Sequence, residues 1–258
     1  MLLAIDIGNT NTTFGVFEGD KLRATWRSAT GVHRAADEYA TFILAQLRIK
    51  GIDTKDITDG VLCSVVPPLV TVYEELFKYY FKIHPLIVEA GVKTGVRICM
   101  DNPREVGADR VVNAVAAHHL YGGPCIVIDI GTAMTFDAVA QNGDYLGGAI
   151  APGIRIATDA LFDRTAALPR VDLSHPKKAI GTNTISAMQS GIVFGYVGLI
   201  EGLVSRIQSE MGGKARVIAT GGYSGLLAEE SKIITAVNAD LTLVGLKLIY
   251  EMNRTDSD

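Results

Sequence analysis

The sequence predicts an α/β protein built from two related lobes, and three observations carry that reading. First, one phrase occurs twice. Leu3-Ala4-Ile5-Asp6-Ile7-Gly8 runs into a polar bend and then Phe14-Gly15-Val16, and Ile126-Val127-Ile128-Asp129-Ile130-Gly131 runs into Thr132-Ala133-Met134-Thr135 and then Phe136. Second, the copies lie about 120 residues apart, the size of one small domain and far beyond the period of a solenoid repeat. Third, each copy is followed by segments of helical periodicity, so strands and helices are interleaved in both halves. Lobes at 1–121 and 122–258 are expected.

The elements follow in order. Three strand-like pieces open the chain, at Leu2–Ile7, 13–18 and 22–27, with Glu18-Gly19-Asp20 turning between the last two. Apolar residues Tyr39, Phe42, Ile43 and Leu47 fall at helical spacing, which predicts an amphipathic helix over 35–49. A strand over 60–66 is expected to stop at Pro67-Pro68, followed by a helix over 70–81 and a short strand over 85–88. Asn102-Pro103-Arg104-Glu105 reads as a helix start, with Asn as cap and Pro in the first turn. Gly107 interrupts it, and Ala108–Tyr121 then has helical composition.

The second lobe begins near Gly122-Gly123-Pro124, repeats strand–turn–strand and becomes mostly helical. The segment 183–211 is long, apolar and Gly-rich. Gly191, Gly195, Gly198 and Gly202 are spaced by four, three and four, so they share one helix face. A late strand over 217–220, a terminal helix Leu241–Asn253 and a frayed polar tail over 254–258 complete the reading.

Composition narrows the function. Hydrophobic residues make up 48% of the 258, enough for a sizeable core, and the net charge of −4 argues against a nucleic-acid binder. Cys63, Cys99 and Cys125 form no CxxC pair and read as small hydrophobes in a reducing compartment. The N-terminus lacks the basic flank of a secretory signal, and no run of eighteen apolar residues is expected to span a membrane. A cytoplasmic protein is expected.

The candidate site residues cluster at strand ends. Asp6-Ile7-Gly8 is followed by Asn9, Thr10, Asn11, Thr12 and Thr13. A bend of this kind aims N–H groups and hydroxyls at phosphate oxygens. Asp6 can reach Mg²⁺ directly or through water, because that ion takes few carboxylates and keeps several waters. Asp129-Ile130-Gly131-Thr132 is the second half of the clamp, Asp129 for a cation and Thr132 for a phosphate oxygen. Gly221-Gly222 ends a strand where backbone could lie close to an adenosine. Gly107-Ala108-Asp109-Arg110 sets an acid able to take an alcohol's proton beside a guanidinium able to fork onto a carboxylate or phosphate. Ser174-His175-Pro176-Lys177 spells SxxK but reads as a loop, and His118-His119 has no ligand partner at metal spacing. No Walker A, GxGxxG or HExxH motif occurs, so phosphate binding has to work without a P-loop lysine.

Taken together, Asp6–Thr12, the block from Asn102-Pro103-Arg104-Glu105 to Gly107-Ala108-Asp109-Arg110, and Asp129-Ile130-Gly131-Thr132 resemble type III pantothenate kinase. Gly147-Gly148 to Pro152-Gly153, Gly181-Thr182-Asn183-Thr184 and Ala219-Thr220-Gly221-Gly222 support the resemblance, which covers nearly the whole chain. It implies two duplicated actin-like (ribonuclease H-like) α/β lobes with ATP in the cleft between them. It further implies ATP-dependent phosphorylation of pantothenate to 4′-phosphopantothenate, the first committed step of coenzyme A synthesis. By the resemblance, residues 6 to 13 and Thr132 hold ATP, and Gly107 to Arg110 hold pantothenate with Asp109 as base. Asp129 holds a monovalent cation, K⁺ or NH₄⁺, and Thr184 reaches pantothenate across a homodimer interface. The chain departs from the pattern at Met100, a pantothenate-side position where members often carry Tyr. Two other classes stay open at this point: another small-molecule kinase of the superfamily, and a nucleotide-dependent regulatory protein that binds without transfer. Asp109-Arg110 favours transfer, since a binding module needs no base.

Overall fold

The computed structural model describes residues 1–254, and the expected tail beyond Arg254 lies outside them. The described residues divide into two compact units. One comprises Met1–Gly95, Asn102–Ala116 and the terminal helix from Thr242; the other comprises Val96–Asp101 and Ala117–Leu241. The terminal helix therefore groups with the first unit, not with the segment that precedes it in the chain.

In the first unit, β1 (Leu2–Ile7), β2 (Asn11–Glu18) and β3 (Lys21–Ala29) form an antiparallel meander. β4 (Asp59–Ser64) then runs parallel to β1, and β5 (Leu86–Ile87) parallel to β4, giving the order β3-β2-β1-β4-β5. Leu3, Ile5 and Ile7 are fully buried on one side of β1, against α1 (Ala36–Ile49) and α2 (Pro67–Leu76). Phe14 stacks on Trp26 with ring centres 5.5 Å apart, and Tyr39 of α1 meets Tyr73 of α2 at 4.8 Å. Each such aromatic removes a large apolar surface from water, which is the main force holding the layers together.

Three expectations need correction here. Pro67-Pro68 does not merely stop a strand: it opens α2, where proline's missing N–H costs nothing in the first turn. The predicted helix over 70–81 ends as an α-helix at Leu76 and continues as one π-type turn, Phe77–Phe81, closed by Lys82 at φ 62°. Likewise Asn102 caps only a single 3-10 turn, Pro103–Glu105; the α-helix begins afresh as α3 (Ala108–Tyr121).

In the second unit, β6 (Cys125–Ile130), β7 (Ala133–Val139) and β8 (Tyr145–Pro152) form a second meander. After α4 (Ile154–Asp163) and α5 (Thr184–Glu210) come β9 (Arg216–Gly221), α6 (Ser224–Glu230) and β10 (Ala236–Val237). The sheet order is β10-β9-β6-β7-β8. Read from the meander edge, both sheets place the third strand, second, first, fourth and fifth in the same succession, so the duplication extends to topology. Each meander even carries its irregularity three residues past the partner of its strand-end acid, at Val16/Phe17 and at Ala138/Val139.

The third strand of the second meander was not read from the sequence. Its Gly147-Gly148 lowers strand propensity, yet a Cβ on Gly148 would sit 1.7 Å from the Phe136 carbonyl oxygen, so only glycine fits there. Next to it, the buried Asp137 carboxylate accepts hydrogen bonds from Tyr145 Oη at 2.7 Å and Thr135 Oγ1 at 3.0 Å. The long apolar segment expected over 183–211 is the single helix α5. α5 has an 18-residue window of mean hydropathy 1.4, long and apolar enough by composition to cross a membrane. Its Val193, Ile200 and Val204 are fully buried in the second unit's core, which makes it a core helix.

The terminal helix α7 (Leu241–Asn253) is held to the first unit by shape and charge. Gly245 crosses α3 so closely that a Cβ would lie 2.2 Å from the Val112 carbonyl oxygen. The largely buried Lys247 ammonium donates to Asp20 at 2.8 Å and Glu251 at 2.7 Å.

Candidate functional site

In the first unit, Asp6 ends β1 in register with Thr13 across β2 and with Cys63 on β4. The chain reverses over Gly8–Asn11, where the Gly8 N–H donates to the Asn11 carbonyl at 3.1 Å. A Cβ on Gly8 would come within 2.9 Å of that oxygen, so glycine permits the tight turn. Asn9, Thr10 and Asn11 are exposed, whereas Thr12 is fully buried. The five polar residues of the bend thus split into an outward group and an inward residue, Thr12, whose hydroxyl lies 3.0 Å from that of Thr30.

Asp109 enters the same neighbourhood from α3. Gly107 caps the helix, its carbonyl accepting from the N–H groups of Arg110 and Val111 at 3.1 and 3.3 Å. Asp109 Oδ1 accepts from the Arg110 N–H at 2.8 Å, in the first turn where the helix dipole favours an acid. A Cβ on Gly107 would lie 2.6 Å from this oxygen, so the glycine makes room for the carboxylate. Cys63, fully buried on β4, donates its thiol to Asp6 Oδ1 at 3.4 Å. Burial first, then the negative charges of Asp6 and Asp109, push the Cys63 thiol well above its ordinary range, keeping it neutral. Cys63 thus bonds directly to Asp6 and lies within range of the Asp109 charge.

In the second unit, Asp129 ends β6 opposite Thr135 on β7 and Thr220 on β9. Its Oδ1 lies 3.6 Å from where a Gly131 Cβ would stand, so the carboxylate rests over its own turn. That turn is one residue shorter than its counterpart: Ile130 pairs with Met134, whereas Ile7 pairs with Thr12. Thr132, Gly153 and Gly221 converge beside it. A Cβ on Gly153 would lie 2.2 Å from the Thr132 carbonyl oxygen, and one on Gly221, at φ 93°, 2.5 Å from the Ile130 carbonyl oxygen. Gly222 has open space above it. The structure brings together Asp129, Thr132, Gly221 and Gly222 as the sequence predicts, and adds Gly153, at the start of α4.

Two predicted residues stand apart from this group. Met100 lies on the 96–101 segment, where Cys99 N–H donates to the Tyr145 carbonyl at 2.8 Å, and its Sδ is 3.7 Å from a Cβ built on Gly147. Thr184 begins α5 after its Asn183 cap and is exposed. It lines a groove of about 900 Å³ with Leu161, Gly191, Gly195 and Tyr196.

The donor set suits a hard cation held with phosphate. No group of three or more His, Cys, Asp or Glu able to hold a metal occurs among the described residues. A divalent ion held with phosphate needs no such cluster, since one or two carboxylates plus phosphate oxygens and water complete its shell.

The comparisons with known proteins give the family. A family model described as type III pantothenate kinase matches residues 2–206. A type III pantothenate kinase from Dehalococcoides mccartyi is 56% identical over 253 residues, covering 98% of this chain and 96% of the relative. One from Moorella thermoacetica is 53% identical, covering 98% of this chain and all of the relative. Among solved structures, a candidate 2-dehydro-3-deoxygalactonokinase from Sinorhizobium meliloti superposes with a TM-score of 0.64 at 14% identity, covering all of this chain and 98% of that one. At that identity the likeness concerns the fold alone, the two-sheet α/β architecture.

Proposed function

The chain belongs to the type III pantothenate kinase family, ATP-dependent phosphotransferases that act on pantothenate in coenzyme A synthesis, and we propose that its Asp109 is the base of the reaction. Asp109 takes the proton of the pantothenate 4′-hydroxyl as that oxygen bonds to the γ-phosphorus of ATP. The bond from the γ-phosphorus to the β,γ-bridging oxygen breaks, and ADP leaves. Arg110 forks onto an anionic oxygen, that of the pantothenate carboxylate or of the transferred group. The bend from Asp6 to Thr13 binds ATP phosphates through N–H groups and exposed side chains, and Asp6 anchors Mg²⁺. When bound, that ion neutralises charge on the β- and γ-phosphate oxygens. In the second unit, Thr132 contacts ATP, Gly221-Gly222 lies against the adenosine, and Asp129 holds K⁺ or NH₄⁺. Transfer passes through a loose transition state, so positioning and charge neutralisation matter more than the base.

The observation that carries this reading is the strand-end Asp6, bonded by the buried Cys63 thiol, with Gly107 at the start of α3 set beside Val65, two residues past Cys63. It supports a site where a phosphate-bound cation and a proton acceptor work on the same group.

The active unit is a homodimer in this reading. Gly191, Gly195 and Gly198 have open space above them on α5, beside the groove that Thr184 lines, and Ile185 and Leu161 are exposed there. An α5 from a second copy fills such a face at close range, and isologous pairs are the commonest oligomer. Thr184 then reaches the pantothenate of the partner. The reaction takes place in the cytoplasm, in keeping with three free thiols.

ADP release measured with and without pantothenate, in K⁺ and in Na⁺, tests the reading. Release that needs pantothenate and K⁺ is expected. Release indifferent to pantothenate would overturn it.

A further inference from the structure

We infer that Thr30, one residue past β3, is the positioning residue that aims the phosphate-binding bend; the inference rests on the reading that residues 6 to 13 hold ATP phosphates. Thr30 contacts the bend three times. Its N–H donates to the Thr10 carbonyl at 2.9 Å, and its Oγ1 donates to the Gly8 carbonyl at 2.7 Å. The same hydroxyl lies 3.0 Å from Thr12 Oγ1, on a side chain buried completely.

The consequence follows from peptide geometry. In a planar trans peptide the carbonyl and the next residue's N–H point in opposite directions. The only cis bond among the described residues is Gly123–Pro124. When Thr30 draws the Gly8 carbonyl to itself, the Asn9 N–H is turned the other way. When it draws the Thr10 carbonyl, the Asn11 N–H is turned the other way too. Asn9 and Asn11 are both exposed. Thr30 therefore gathers two carbonyl oxygens that would repel a phosphate and leaves two N–H donors on the opposite side, the arrangement that anion-binding backbone requires.

Thr30 is itself held. The neighbouring Gly31 N–H donates to Tyr39 Oη at 3.0 Å, and Tyr39 donates back to the Gly31 carbonyl at 3.1 Å. Tyr39 is fully buried on α1, so the backing of the bend is tied to the first unit's core.

Thr30→Val keeps the shape and the backbone N–H but loses the hydroxyl; Thr30→Ser keeps the hydroxyl. Amide hydrogen exchange at Asn9 and Asn11, with and without Mg·ATP, and calorimetric binding of Mg·ATP make the test. In the wild type, Mg·ATP slows exchange at both amides. In Thr30→Val, Mg·ATP slows exchange less and binds more weakly, on the order of tenfold for the lost hydrogen bonds. Its KM for ATP rises while its KM for pantothenate holds, and Thr30→Ser restores all of these. Thr30→Ala carries the same test where valine does not fold. If the wild-type amides are protected and Thr30→Val binds Mg·ATP like the wild type, the inference is wrong and the phosphate reading stands. If Mg·ATP leaves the wild-type amides unprotected, the phosphate reading fails and the inference falls with it.

Discussion

Cys63 and Asp6 are partners across a parallel ladder, the thiol of β4 donating to the carboxylate that ends β1 at 3.4 Å. At the equivalent point of the second sheet, Asp129 stands in register with Thr220 of β9. Both strand-end acids therefore have a small donor residue beside them on the next strand. For Asp6, that neighbour fixes the carboxylate at the end of its strand.

Asp109→Asn tests the base. Asparagine is isosteric and accepted in a first helical turn, so the fold is expected to persist. Turnover should fall by ~10²-fold or more, the usual scale for a lost proton acceptor. Mg·ATP affinity should stay near wild type. Steady-state kinetics beside calorimetry checks it, and wild-type turnover would remove Asp109 from the mechanism.

Asp6→Ala and Asp129→Ala separate the two acids. The first should abolish productive use of Mg·ATP, and the second should weaken activation by K⁺. Rates titrated against Mg²⁺ and against K⁺ in each variant decide between them. An unchanged K⁺ curve in Asp129→Ala would reassign that residue to a structural or Mg²⁺ role.

Gly195→Leu and Gly198→Leu test the dimer. Neither glycine has an atom of its own chain within 4 Å of an added Cβ, so each leucine fits its own unit. Both variants should sediment as monomers and lose activity together. A wild-type protein that is monomeric and fully active at low concentration would sink the shared-site idea.

Cys125 gives a pH prediction. Burial pushes its thiol from 9.0 up to about 12. The unfolded chain loses this proton above pH 9 while the folded chain keeps it, so the folded state binds more protons there. Stability is then complete below pH 9 and falls as pH rises from 9 toward 12, by about 1.4 kcal/mol per pH unit for this one group. Urea unfolding at pH 8 and pH 10.5 measures the loss. Cys125→Ala should flatten that slope, and an equal slope in the variant would assign the loss elsewhere.

The parts of the fold that could be read in advance are those where local pattern and tertiary role coincide. Asp6 and Asp129 sit at strand ends because apolar runs precede them and glycine follows, and α3 keeps its sequence limits because Gly107 opens it. What stayed hidden depends on distant partners. Thr12 looks like its neighbours in composition, and only the register of β2 turns it inward. Thr30 and Cys63 carry no local signal, since each matters through a carbonyl or carboxylate brought to it by a neighbouring strand. The strand β8 was obscured by Gly147-Gly148, whose small size answers to the Phe136 carbonyl and not to strand propensity. The grouping of α7 with the first unit rests on Gly245 meeting Val112 and Lys247 meeting Asp20, contacts that span more than a hundred residues.

That terminal helix has a consequence for how the chain can be taken apart. Asn113 of α3 and Thr242 of α7 share a side-chain hydrogen bond of 2.8 Å, and both belong to the first unit. The stretch from Ala117 to Leu241 is thus inserted into a host whose two cut ends already lie side by side. In sequence, both pieces of the second unit, Val96–Asp101 and Ala117–Leu241, are thus bracketed by segments of the first.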